Sequence, residues 1–389
     1  MFDYFRHILE SDQRTSELNA FAGKVVGTFC NFVPDEIVIA AGAIPVRLCS
    51  GRADMAERSS HVFPLECCSV ARACAGSLVT DDPLYRRVDL FVVPGSCDSK
   101  RKLAQMIASD RPTIVMGLPA DKTSPSGRRM WLDQVKGLAA RLEDLTGNRI
   151  TRASLRAAID LTNASRDAYR ELLALRRRKP PAISGLDAFH VTCASFIDDT
   201  ARWTRELRSA VLSASASSDG QSGPRLLVTG APIIHPNLDL VALIEDLGSA
   251  IVADEMCSGT QRLYDPVVPR EYTLGELVRA VAERALLPAT CPCFVDGRDR
   301  LNRILEMIDA YAVDGVVYHN LRICSLFDAE TPGVKAALEE AGVPMLEIRT
   351  DYSATELSQL RVRIEAFLEL LGGGRTEDAL REPAKPSHV

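Results

Sequence analysis

The residues in this 389-residue chain best suited to chemistry are its eleven cysteines: Cys30, Cys49, Cys67, Cys68, Cys74, Cys97, Cys193, Cys257, Cys291, Cys293 and Cys324. A thiolate is a nucleophile, a soft metal ligand and a redox group. A buried cysteine taken singly is more often a small hydrophobe. Cys49, Cys74 and Cys193 lie in apolar or amphipathic runs and are expected to be core residues of that kind. Packing explains the positions of the others less well. Cys30, Cys97, Cys257 and Cys324 each follow a strand-like run: KVVGTF, VDLFVVPGS, AIVADEM and GVVYHNLRI. Cys67 and Cys68 open a helical segment, where the positive end of the helix dipole favours thiolate. Cys291 and Cys293 form a Cys-Pro-Cys in a short loop.

Spacing narrows the chemistry. Structural zinc advertises itself by CxxC pairs, and none occurs here. Single cysteines on separate loops suit an iron–sulfur cluster assembled from distant segments, because thiolates are its preferred ligands. There is no GxxxxGK[ST] phosphate loop, no GxGxxG after a strand, and neither HExxH nor GxSxG. His61, His190, His235 and His319 are isolated. His235 and His319 follow strands and are weak candidates for proton transfer.

The elements that must position these residues alternate in type. Strands are expected at Lys24–Thr28, Ile44–Leu48, Val88–Val93 and Thr113–Gly117 in the first part. Others are expected at Leu226–Thr229, Ala250–Ala253, Gly315–Tyr318 and Met345–Ile348 in the second. Runs such as VDLFVV are apolar throughout, as parallel strands covered on both faces are. Helices are expected at Pro34–Ala43, Cys67–Val79, from Asp98 through Ser109, Pro236–Leu247, Leu274–Ala285, Asp299–Tyr311, Pro332–Ala341 and Ala354–Leu371. Between the two sets lie long leucine-spaced helices, Ser154–Arg178 and Leu186–Leu212. The expectation is an α/β protein with two doubly wound parallel-sheet domains of Rossmann or flavodoxin type, joined by a helical section. Residues 1–150 form the first domain with an N-terminal helix, 151–212 the helical section, 213–224 a flexible linker, 225–371 the second domain and 372–389 a disordered tail. In open parallel sheets ligands bind beyond the carboxyl ends of the strands, which is where four of the cysteines fall.

Bulk properties exclude some functions. The net charge is −6, which argues against nucleic acid or an anionic membrane as a partner. Met1–Ala20 carries charges every few residues and lacks the apolar stretch of a signal peptide. No run approaches the roughly 20 apolar residues of a membrane helix. A cytoplasmic protein is expected, in a compartment where disulfides rarely persist.

Several segments in order resemble the 2-hydroxyacyl-CoA dehydratase and benzoyl-CoA reductase subunit family, nearest to its double-cubane cluster protein branch. They are Val26–Ser50, Cys68–Gly76, Cys97–Leu103, Val228–Pro232, Glu255–Gly259, Cys291–Cys293, Val313–Cys324 and Asp351–Leu371. The resemblance implies that Cys68, Cys97 and Cys324 hold a 4Fe–4S cluster. In the double-cubane branch three more ligands match Cys30, Cys257 and Cys293. Cys68 over Cys67, and Cys293 over Cys291, follow from alignment alone. The resemblance further implies a homodimer and an ATP-hydrolysing iron–sulfur activator that drives single electrons into the protein. The substrate would be a small molecule or an acyl-CoA. Two alternatives are a single-cluster dehydratase or reductase subunit and a non-catalytic electron carrier. Arg47, Lys100, Arg101 and Lys102 lie near the proposed ligands, and solvated helix charges explain them at least as well.

Overall fold

The computed structural model describes residues 1–216, 222–352 and 357–378. Eight short strands form two parallel sheets of four. The first holds β1 (Val25–Thr28), β2 (Ile44–Arg47), β3 (Leu90–Pro94) and β4 (Thr113–Met116) in the order β2-β1-β3-β4. The second holds β5 (Arg225–Gly230), β6 (Ala250–Glu255), β7 (Gly315–Leu321) and β8 (Met345–Thr350) in the order β6-β5-β7-β8. The two orders are the same, so each unit has its switch point beside its first strand, between β1 and β3 or between β5 and β7. The doubly wound α/β expectation holds in both.

Alternate residues of the central strands feed different cores. Val25, Phe91 and Val93 pack into one apolar cluster, while Val26, Leu90 and Val92 pack into another. The first cluster does not stop at the unit boundary. It runs from Phe29, Val70 and Phe91 to Leu227, Tyr318 and Val334 of the second unit. The two carboxyl-end surfaces are thereby fixed relative to each other by continuous packing.

The helical section braces this arrangement. Arg152–Arg177 is one helix, started by a capping box between Thr151 and Ser154. Arg166 on it bonds Glu36 at 2.5 Å, and Arg176 bonds Asp254 at 2.6 Å, with all four side chains buried. The single helix expected at Leu186–Leu212 is two, Gly185–Ala194 and Thr200–Ser215. Asp199 starts the second by accepting from the amide of Arg202.

Other boundaries also differ from expectation. The last helix of the second unit's β7–β8 crossover runs Ser325–Glu340 with Pro332 inside it, not from Pro332 onward. Asp98 is the first helical residue of Asp98–Ala108, and Cys97 is the cap. Helix Thr200–Ser215 enters the expected linker, and helix Leu357–Asp378 enters the expected tail. Residues 217–221 and 379–389 of those two segments lie outside the described residues, as do 353–356 at the expected start of the last helix. Among the described residues no helix is long and apolar enough to cross a membrane.

His319, on β7, is consumed by the sheet. Its Nδ1 donates to the Ala231 carbonyl and its Nε2 accepts from the Thr350 hydroxyl, both at 2.8 Å. Burial holds its pKa down to about 4, against an ordinary 6.5. The unfolded chain therefore takes up this proton first, and stability is lost as pH falls from about 6.5 toward about 4. The urea midpoint is expected to be lower at about pH 5 than at about pH 7. A His319→Gln variant should show a smaller drop between those two conditions.

Candidate functional site

Three cysteines occupy the same local position. Cys68, Cys97 and Cys324 are the cap residues of helices Ser69–Val79, Asp98–Ala108 and Ser325–Glu340. In each case the amide three residues on (Ala71, Lys100 or Phe327) interacts with the sulfur and favours thiolate. Burial works against this and prevails: it pushes Cys68 up to about 12 and Cys324 up to about 11, and it raises Cys97. These three feel one another's charge, Cys68 with Cys324 and Cys97, and Cys324 with Cys97. They form one group.

A second group lies alongside. Cys30 follows β1 with its backbone in the left-handed region at φ 68°, a strained conformation for a residue with a side chain. Cys257 follows β6. Burial pushes Cys257 up to about 12, and the next cause is the charge of Cys30. Cys291 interacts with Cys30, Cys257 and Cys97, and its thiol is hydrogen-bonded to Cys293, which raises its pKa well above normal. Of the Cys-Pro-Cys pair, Cys291 is therefore the member whose charge is felt at Cys97 and Cys257. Cys97 also feels Cys30, which links the two groups. Among the described residues no three Cys, His, Asp or Glu side chains gather tightly enough for one metal ion.

Two of the four cations that the sequence places near the proposed ligands, with solvated helix charge as the competing explanation, stand among the thiols. Arg47, at the end of β2, is 4% exposed. Its Nη1 donates to Asn31 Oδ1 at 2.6 Å and to the Cys257 carbonyl at 2.9 Å, and its guanidinium lies over the Phe196 ring at 4.3 Å. Its Nε is buried without a partner. Lys100 is half-buried in the first turn after Cys97, and the charges of Cys30, Cys49, Cys97 and Cys257 raise its pKa well above normal despite burial. Burial alone would raise Cys30, but Lys100 and Arg47 reverse this and hold its thiol below the usual value. The signal that separates Arg47 from a solvated charge is positional: it ends strand β2. Cys49, assigned to the core, also interacts with both cations. Cys74 and Cys193 are buried, as expected of core cysteines.

The loops bearing the second group are pinned from below. Thr290 donates to Glu255, which ties the segment before Cys291 to the segment before Cys257. Arg300 is 1% exposed and lies 3.2 Å from Glu255 and 3.1 Å from Glu330, on the helix that Cys324 caps. Lys122 donates to the carbonyls of Leu287 (2.7 Å) and Ala289 (2.6 Å) and reaches Asp299 at 2.9 Å, so it clamps the Cys-Pro-Cys loop at both ends. His235 borders a cavity of about 550 Å³ next to Arg47. Burial, reinforced by His190, pushes its pKa down to about 4. His319 has both ring nitrogens occupied.

The family model for the D-component of 2-hydroxyglutaryl-CoA dehydratase matches residues 30–371. The chain belongs to this family. A protein of Escherichia coli strain K12 named "Putative dehydratase subunit YjiM" is 32% identical over 89% of this chain and 91% of its own length. The (R)-phenyllactyl-CoA dehydratase beta subunit of Clostridium sporogenes is 24% identical over 95% and 98%. A subunit of the benzoyl-CoA reductase of Thauera aromatica is 22% identical over 89% and 90%. The protein is accordingly a dehydratase- or reductase-type enzyme component of the 2-hydroxyglutaryl-CoA dehydratase family.

Breaking a buried ion pair by removing one partner costs about 3–5 kcal/mol. Arg300→Met leaves Glu255 and Glu330 buried without their cation. A loss of that size is expected in equilibrium urea unfolding, and a change under about 1 kcal/mol would show that Arg300 does not brace these loops.

Proposed function

We propose that the two thiol groups hold an iron–sulfur centre of double-cubane type. Cys68, Cys97 and Cys324 hold one 4Fe–4S unit. Cys30, Cys257 and one thiolate of the Cys291–Cys293 pair hold the other, Cys293 by sequence match and Cys291 by the neighbours that feel it. The supporting observation is the convergence of these thiols around Arg47 and Lys100, with Arg47 Nε left as a buried donor lacking an acceptor. Soft thiolates suit iron–sulfur ligation. Free thiols whose pKa values burial raises would stay protonated near neutrality, whereas coordination deprotonates a thiol outright.

Such a centre supplies electrons one at a time at low potential. The chain's own residues do the rest. Helix-terminal amides beside Cys68, Cys97 and Cys324, together with the charges of Arg47 and Lys100, favour negative charge in this space. The sequence has no phosphate loop, which fits ATP being spent on a separate iron–sulfur activator. The protein would act as a cytoplasmic homodimer on a small-molecule or acyl-CoA substrate.

A second reading, a single 4Fe–4S dehydratase or benzoyl-CoA reductase-like subunit, needs only the first thiol group. The relatives named as subunits favour it. Anaerobically purified protein is expected to contain about eight irons per chain, and about four would select the second reading. Cys30→Ala and Cys68→Ala should each disrupt one cubane in the electron paramagnetic resonance spectrum, and unchanged spectra in both would refute the ligand set. Cys291→Ala and Cys293→Ala, compared in the same way, assign the remaining thiolate. Activator-dependent turnover would exclude a mere electron carrier.

A further inference from the structure

Lys100 lies on the inward face of its helix. In Asp98–Ala108 the buried residues are Leu103, Ala104 and Ile107, and Lys100 precedes them on the same stripe. Its two basic neighbours turn outward. Arg101 pairs with Asp98 at 2.9 Å, both exposed, and Lys102 reaches Gln105 at 3.2 Å on the surface. Strand β3, which leads into this helix, pairs with β1, which leads into Cys30. The inward lysine therefore meets the Cys30 loop across the switch point.

Lys100 contacts both thiol groups, by different means. Its backbone amide is hydrogen-bonded to Cys97, in the first group. Its ammonium is hydrogen-bonded to the Cys30 thiol, in the second. Cys30 is 7% exposed, so water and salt screen that contact little. Arg47 adds a second cation on the same side, donating to the Cys257 carbonyl at 2.9 Å and to Asn31, next to Cys30, at 2.6 Å. The first group is supported otherwise. The charge of Lys100 reaches Cys97 and Cys68, but Cys324 feels the negative charge of Asp328. Its other support comes from helix amides, which carry partial charges where ammonium and guanidinium carry full ones.

The two groups thus face unequal positive charge. Positive charge and hydrogen bonds at the sulfurs stabilise the reduced, more negative form of an iron–sulfur unit and raise its reduction potential. We infer that the unit on Cys30, Cys257 and the Cys291–Cys293 pair has the higher potential of the two, set by the Lys100 ammonium, so that a single electron entering the protein comes to rest there. The inference rests on the two-unit reading of the cysteine groups. The step is electron transfer alone: an external one-electron reductant is oxidised, the unit on the Cys30 side is reduced, and no bond forms or breaks. Electrons then collect on the side where Arg47 borders the cavity of about 550 Å³.

The test is a reductive titration of anaerobically purified full-length protein with titanium(III) citrate, followed by electron paramagnetic resonance, with iron counted on each sample. Two separate one-electron steps are expected. Lys100→Met should lower the upper step by at least tenfold in its reduction equilibrium, about 59 mV for one electron, and the lower step by less. Lys100→Arg, which keeps the charge, should stay near the unsubstituted protein. Lys100→Gln carries the comparison if Lys100→Met does not load iron. Cys68→Ala should retain the upper step and Cys30→Ala the lower one. A single unsplit step in the unsubstituted protein, equal shifts of both steps in the lysine variants, or the reverse pattern in the cysteine variants would overturn the inference. Variants with about eight irons per chain and unmoved potentials refute the Lys100 assignment alone, whereas about four irons in the unsubstituted protein refute the two-unit reading and this inference with it.

Discussion

One buried guanidinium holds the carboxyl-end surface of the second unit together. Arg300 lies between Glu255 and Glu330 and also donates to the Thr229 hydroxyl at 2.9 Å and the Thr290 carbonyl at 3.3 Å. Each partner precedes or supports a cysteine segment. Glu255 is two residues before Cys257, Thr290 is next to Cys291, and Glu330 sits on the helix begun by Cys324. Its guanidinium also lies 5.1 Å from the ring of Phe327, whose amide faces Cys324. A desolvated charge is tolerated only when its partners are well placed. That requirement ties the end of β6, the loop before Cys291 and the helix that Cys324 caps into one arrangement.

The first unit meets the same need differently. Arg47 stands on the last residue of β2, reaches Asn31 beside Cys30, and crosses to the Cys257 carbonyl of the other unit. The shared apolar cluster keeps the two surfaces in register, so thiols separated by up to most of the chain length meet in one place. Two sheets of identical strand order give both units a switch-point crevice, the place where open parallel sheets bind ligands. Gly230, with φ 110°, turns the chain at the end of β5 against the backbone of His319, where a side chain would collide.

Much of this was legible in the residues. The alternation of short strand-like runs with helical segments predicted all eight strands, and strand ends predicted where Cys30, Cys97, Cys257 and Cys324 lie. Less legible was anything set by partners distant in sequence. Lys100 reads as one of three consecutive basic residues on a helix, and only the fold separates it from Arg101, which pairs with Asp98 at the surface. Cys49 reads as core from its amphipathic run and does pack against the main apolar cluster, yet it also lies two residues after the cation that touches Cys257. The helix around Pro332 begins earlier than a proline start suggests, since the sequence does not reveal that Cys324 caps it. The break between Ala194 and Thr200 depends on the Asp199 cap, which a leucine spacing conceals.

Whether two adjacent thiol groups hold two linked iron–sulfur units is tested most directly by an iron-edge anomalous diffraction map from crystals grown without oxygen. Two neighbouring iron peaks are expected, one against Cys68, Cys97 and Cys324 and the other against Cys30, Cys257 and the Cys291–Cys293 pair. A single peak at the first group, or iron placed away from Arg47 and Lys100, would contradict it.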